Sequence, residues 1–215
     1  MISVKKATGL WLLISQLLLC GCQIGILTPL KVSQLAANKN NTLQATLYIN
    51  IDSCTENRNP SKEGSQLKKA KIKISEIFTG ARYTQCLTKS FSNFAAFSIP
   101  VDLIHGKIEN TDQVSRLSIN HTGNGNSVLM VPTVMAKKII AYKDEELSML
   151  DLKVGVKIIN DTLLPFKKNV MSVYVNDQPN NYAGITIAPN EAAIIQLSDV
   201  GVAALLKGQY SFLTM

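Results

Sequence analysis

The 215-residue sequence predicts an α+β protein, with a strand–helix–strand N-terminal half and a β-rich, sandwich-like C-terminal half. Three observations lead there. Residues 42–51 alternate, with Leu43, Ala45, Leu47, Ile49 and Ile51 on one side and Thr42, Gln44, Thr46 and Asn50 on the other, the period of a half-buried strand. Leu67, Ala70, Ile74, Ile77, Phe78 and Ala81 recur instead at helical spacing, and Gly80 stands where a helix C-cap belongs. In the last third, short apolar runs parted by turn residues return about every ten positions, as in β-sandwiches. With 46% hydrophobic and 17% charged residues the chain is too apolar for disorder, and its apolar runs are too few for a polytopic membrane protein.

Residues 1–21 read as an export signal peptide. Lys5 and Lys6 form a basic start without an acid, and Leu10–Leu19 is an apolar run broken once by Gln16. The run ends in Leu19-Cys20-Gly21-Cys22, which resembles the lipobox of bacterial lipoproteins: an aliphatic residue and two small ones before the cysteine that receives diacylglycerol. The resemblance implies that Cys22 is lipidated and becomes the mature N-terminus. Gln23 follows it, and in the sorting pattern of enteric bacteria a residue other than Asp there directs the protein to the outer membrane. A signal anchor stays open as an alternative, because Ala7–Leu30 holds no charge, and so does a cleaved soluble export product. Gly21, Gln23, Gly25, Thr28 and Pro29 would make the second half of such an anchor a poor helix.

Under the lipoprotein resemblance Cys20 is discarded and Cys22 is consumed. Cys54 and Cys86 are then an even pair in an oxidising compartment, which implies a structural disulfide tying the N-terminal half together. Their spacing matches neither a CxxC redox motif nor a zinc ribbon, and with only His105 and His121 in the chain no metal ligand set is expected. Loss of Lys5 and Lys6 lowers the formal charge from +7 to +5. Only Arg58, Arg82 and Arg116 carry the planar fork that reads phosphate and base edges, so nucleic acid is not an expected partner. The densest basic patch, Lys68, Lys69, Lys71 and Lys73, reads as a solvated face, and as a lipid-headgroup contact if it has a function.

Along the chain, residues 22–41 read as a lipidated tether, free of acids and turning polar toward Asn38–Asn41. An α+β domain is expected over 42–135. It holds the strand 42–51, a turn-rich loop Asp52–Gly64 around Cys54 with Ser61 as a cap, and a helix over 63–79. An edge strand in which Ala70, Ile72 and Ile74 alternate with lysines is the alternative to that helix. Strands at Arg82–Thr88 and Phe91–Leu103 follow, and Thr122–Ser127 is the strongest turn signal. Val128–Val134, with Pro132 inside, reads as an edge strand, and Lys137–Leu150 as a partly helical connector. Residues 136–215 form a β-rich module, separate from 42–135 or continuous with it. Its strands are read at 152–158, Val170–Val175, Gly184–Ala188 and Ala192–Leu197, with a turn cluster at 176–181. Ser198 caps a short helix with Val202, Leu205 and Leu206 on its apolar face, Gly208 stops it, and Gln209–Thr214 closes the chain as a strand.

The succession of the lipobox, the alternating strand, Ser53-Cys54 with Asn59-Pro60-Ser61, the run Ile77–Cys86 (IFTGARYTQC) and Val175-Asn176-Asp177 is similar to uncharacterised lipoproteins of enterobacterial chromosomes, prophages and plasmids. This resemblance implies an envelope lipoprotein and transfers no catalytic residue. No GxSxG elbow, HExxH, phosphate loop or dinucleotide fingerprint occurs. His105 and His121 are each followed closely by glycine and read as exposed loop histidines, and Asp144–Glu146 as a solvated run. The expectation is a non-enzymatic, lipid-anchored envelope protein without cofactor or evident small-molecule substrate, working through contacts with other envelope proteins. A mobile-element exclusion lipoprotein that masks an outer-membrane receptor is one alternative. A periplasmic hydrolase built on His105 or His121 is another.

Overall fold

The computed structural model describes residues 23–56, 59–89, 91–106, 108, 111–146 and 151–214, and the expected leader and lipidation site at residues 1–22 lie outside them. The elements in chain order are β1 (Gln23–Lys31), α1 (Val32–Ala36), β2 (Asn41–Ile51), β3 (Thr55–Glu56), β4 (Asn59–Glu63), α2 (Ser65–Ile77), β5 (Arg82–Lys89), β6 (Ser92–His105), β7 (Ser118–His121), β8 (Ser127–Met130), α3 (Thr133–Glu146), β9 (Asp151–Ile159), β10 (Phe166–Val175), β11 (Gln178–Ile187), β12 (Ala192–Leu197), α4 (Asp199–Leu206) and β13 (Gln209–Leu213), with a 3-10 turn at Thr111–Gln113. The fold is α+β. Eleven strands form one sheet in the order β11-β10-β12-β9-β1-β2-β6-β7-β8-β13, with β5 hydrogen-bonded to β6 beside this path, while β3 and β4 make a separate ribbon.

The sheet curls until its two sides meet. Asn169 of β10 and Thr214, just past β13, exchange backbone hydrogen bonds of 3.1 and 2.9 Å. The Tyr210 hydroxyl donates to the Met171 and Ser172 carbonyls at the same seam. Three helices cover the apolar face. Leu67, Ala70, Ile74 and Ile77 of α2 are buried, as are Met135, Ala136, Ile139 and Tyr142 of α3 and Val202 and Leu205 of α4, each set lying on one helical face. α2 packs on β2 and α3, α3 on α4, and α4 on β9, β10, β12 and β13. β2 supplies the opposite wall with Leu43, Ala45, Leu47, Ile49 and Ile51, the five residues its alternation assigns to the core.

One expectation is corrected at the start of the chain. Residues 23–41 are no tether, because β1 lies in the middle of the sheet, antiparallel to β2 and parallel to β9 from Gln23↔Asp151 to Lys31↔Ile159. Ile26, Thr28 and Leu30 are buried there, and Pro29, which has no N–H to donate, turns an exposed side outward. A membrane-spanning helix over Ala7–Leu30 is likewise incompatible with a strand at Gln23–Leu30. The same β1–β9 pairing joins the two halves of the chain, and the expected boundary between 135 and 136 falls inside α3. The two halves share one sheet.

Three smaller differences have local causes. Pro132 does not sit in an edge strand: β8 ends at Met130, lies between β7 and β13, and Pro132 precedes the first turn of α3, where a missing N–H costs nothing. The turn at 176–181 shrinks to Asn176-Asp177, both with positive φ, and the chain from Gln178 onward runs as the outermost strand β11, where Pro179 is tolerated. Gly64, not Ser61, precedes α2. A Cβ at position 64 would come within 2.5 Å of the Ser53 carbonyl oxygen, and Ser61 belongs to β4. The Ser198 cap stands as read, accepting from the Gly201 N–H at 3.2 Å, and Gly208 ends the last helix at φ +139°.

Candidate functional site

The sheet has two ends, and the residues singled out in the sequence divide between them. The near end is where β1 begins. Ile24 pairs with Ile49, Ile49 with Ala95 and Ala95 with Cys86, so one row of residues runs from the start of β1 to β5. At the end of this row Cys86 is joined to Cys54, with an S–S distance of 2.01 Å and Cα atoms 5.9 Å apart. The disulfide pins the loop after β2 onto β5, and the Gly64 N–H donates to the Cys54 carbonyl at 3.0 Å beside it. Cys22, the residue expected to be lipidated, lies outside the described residues and is joined by one peptide bond to the first strand residue.

The basic patch of α2 is partly paired. Lys71 bonds Glu63 and lies 4.0 Å from the Tyr83 ring centroid, and Lys73 lies 3.9 Å from Glu76. These pairs satisfy the charge locally, which favours a solvated structural face over a binding site. Asp144–Glu146 closes α3.

The far end is where β1 stops, and it brings the two histidines together. β6 and β7 are parallel neighbours, and His105 and His121 are cross-strand partners at their last residues, with ring centroids 5.7 Å apart at 78°. They are strand-end residues, half-buried, and not the exposed loop histidines expected from the glycines that follow. His121 Nδ1 lies 2.9 Å from Ser127 Oγ. Burial lowers the His121 pKa, and the neighbouring His105 and Lys168 lower it further, against a hydrogen bond to the Asn126 backbone that favours the charged form. The His105 N–H donates to the Asn40 side-chain oxygen at 2.8 Å. His105 Nε2 and Asn120 Oδ1 are buried without a protein hydrogen-bond partner.

A serine within hydrogen-bond reach of a histidine suggests a nucleophile and its base. Ser127 is fully buried, however, so no carbonyl carbon could approach its Oγ, and the pair acts as a brace across the β7–β8 hairpin. That hairpin turns through Thr122–Asn126, where the Thr122 N–H donates to the Asn126 carbonyl and the Gly125 N–H to the Thr122 carbonyl, so the glycine-rich segment is an ordinary turn. Among the described residues no group of three or more His, Cys, Asp or Glu could hold a metal ion.

The same end carries an apolar projection that the sequence did not single out. The loop after β9 exposes Leu163 to 91% and Leu164 to 75%. It is held rigid from beneath. Asn160 is fully buried, its Nδ2 donates to the Leu164 and Ile187 carbonyls at 2.9 and 2.8 Å, and its Oδ1 accepts from the Thr162 N–H and hydroxyl. Asp161 accepts from the Ser33 N–H at 2.9 Å and its hydroxyl at 2.5 Å, which ties the loop to α1 and lowers the carboxyl's pKa. Two leucines following an Asn-Asp-Thr turn are the only sequence signal for this feature.

No helix among the described residues is long and apolar enough to cross a membrane. No curated protein and no solved structure matches the chain. A family match does extend over residues 24–215, from β1 to the end of the chain, and thus includes the segment expected to be a tether. The chain belongs to that family, described as a domain of unknown function (DUF7424).

Proposed function

We propose that this chain is a lipid-anchored protein of the bacterial cell envelope, placed at the outer membrane, that acts through contact with another protein and not through chemistry. The observation that carries the reading is the opposition of two features on one rigid strand. The lipobox cysteine directly precedes β1, and nine residues later, where β1 ends against Ile159, the next loop carries Leu163 and Leu164. A nine-residue strand is about 30 Å long, so a lipid on Cys22 would hold the two leucines that far from the membrane. Paired exposed leucines on a braced loop have the character of a protein contact. The buried Ser127 and the paired lysines of α2 supply no competing chemical reading.

The test is intact mass and palmitate incorporation in a Gram-negative host. The mature chain should begin at Cys22 and carry the lipid, and Cys22→Ala should be neither cleaved nor labelled. An unlabelled, uncleaved wild type would overturn the anchor. A photo-crosslinking residue at position 164 in intact cells should capture a defined envelope protein that the same residue at position 72, on α2, does not. Equal capture from both positions would overturn the contact surface.

A further inference from the structure

The β5–β6 hairpin tip combines an exposed aromatic ring with a backbone that disfavours one. Lys89 pairs with Ser92, so Phe91 sits in the tight turn between the strands. Its φ is +67°, in the left-handed region where such turns take Asn or Gly, and its side chain is fully exposed at 105%. A bulky residue at positive φ is uncommon, and one that also leaves its ring in water satisfies neither the turn nor the core. Strain of this kind is an observation from which function can be argued.

The register says what the ring faces. The row through Ile24, Ile49, Ala95 and Cys86 fixes a common level at the near end. From this level Cys22 is two residues away along the chain, a reach of at most about 7 Å. On β6 the chain runs three residues from Ala95 to Ser92, about 10 Å, and Phe91 lies in the turn beyond it. β6 and β5 stand two and three strand positions from β1, about 10 and 15 Å to the side. A lipid on Cys22 that draws the start of β1 to a membrane surface therefore carries the hairpin tip to the same surface, or past it. An aromatic ring there enters the headgroup–acyl boundary, which is 5–10 Å deep in typical interfacial insertions. The exposed Lys89 lies on the same tip, within reach of lipid phosphates, whereas Asp52 and Glu56 lie at the same end and limit the charge contribution.

We propose that Phe91 is a second membrane contact, inserted into the bilayer interface beside the lipid on Cys22, so that the sheet stands on two feet with a fixed orientation. This rests on the lipid-anchor reading. The only tryptophan of the chain is Trp11 in the leader, so Phe91→Trp gives a mature protein with a single indole. The full chain, processed in a Gram-negative host, is reconstituted into phosphatidylethanolamine–phosphatidylglycerol vesicles with and without brominated acyl chains. Leu164→Trp is the control at the far end, and both positions are exposed, so neither substitution enters the core.

The expected result is a blue-shifted Phe91→Trp emission quenched at least about twofold by bromolipid, with Leu164→Trp unquenched. Two results overturn the proposal in a chain whose mass carries the lipid and which floats with the vesicles. One is absence of quenching at position 91, and the other is equal quenching at both positions, which would mean that the molecule lies flat. If mass and flotation show no lipid, the anchor itself fails and takes this contact with it, a failure read in a different measurement.

Discussion

The two ends of the sheet are held by different chemistry. At the near end the chain leaves β2, makes the β3–β4 ribbon and only then enters α2, and a covalent bond between Cys54 and Cys86 fixes this long excursion to β5. At the far end the connections after β1 and β9 are short, and side-chain amides and a carboxylate seal this end against backbone: Asn40 on His105, Asn160 on Leu164 and Ile187, Asp161 on Ser33. Loop entropy grows with the length enclosed, so a cross-link gains most where the excursion is long, whereas a tight turn needs only its orphaned polar groups satisfied. One end is thereby made sensitive to reductant and the other to protons.

The largest test of this contrast is removal of the near-end bond. Cys54→Ser with Cys86→Ser should cost about 3 to 4 kcal/mol in urea unfolding, with faster amide exchange at the near end and little change around Asn160. Uniform loss of protection would mean that the ends are not independent. Next, Asn160→Ala strips two carbonyls and the Thr162 donors of their partner and should cost about 2 to 3 kcal/mol. A loss under about 0.5 kcal/mol, the range of an ordinary surface change, would show that the Leu163–Leu164 loop is held by something else.

The third test separates the ends by pH. Because the folded His121 has a pKa below 6.5, the unfolded chain binds a proton first as the solution is acidified. The contribution of His121 is fully present above pH 6.5 and is lost as pH falls through the lower folded value. His121→Gln should flatten that part of the profile of urea midpoint against pH, and an unchanged profile would assign the acid sensitivity elsewhere. The smallest effect has the opposite sign. Phe91→Asn relieves the left-handed backbone of a bulky residue and should raise stability in urea unfolding by about 1 kcal/mol, while a loss would show that the ring is packed and not free.

What the sequence reveals follows from which faces a strand buries. β2 has one apolar face, and its alternation names all five core residues. The caps at Ser198 and Gly208 are local chemistry and are read at the right positions. β1 is hidden because it lies between two strands. Its Gly25, Thr28 and Pro29 resemble breakers, and its long partner strand is over a hundred positions away, beyond any local pattern. The disulfide follows from counting cysteines once residues 1–22, the expected leader and lipidation site, are set aside. The histidine pair does not, since it depends on β6 and β7 running parallel. A clue was present all the same, for Leu103-Ile104-His105-Gly106 and Ile119-Asn120-His121-Thr122-Gly123 each place a histidine within two residues after an isoleucine and within two residues before a glycine.

The parallel pairing of β1 with β9 also sets an order of events. Gln23 finds Asp151 only after α1 to α3 and β2 to β8 have been made, and the Ser33–Asp161 contact spans 128 positions. A chain dominated by such distant pairings closes slowly, because loop entropy must be overcome before the contacts form. The first strand emerges early and waits, bonded at most to β2 along one edge, until the last third of the polypeptide arrives to occupy the other. During that interval it is an unprotected edge in the middle of the future sheet, and a holding partner has its longest opportunity to bind there.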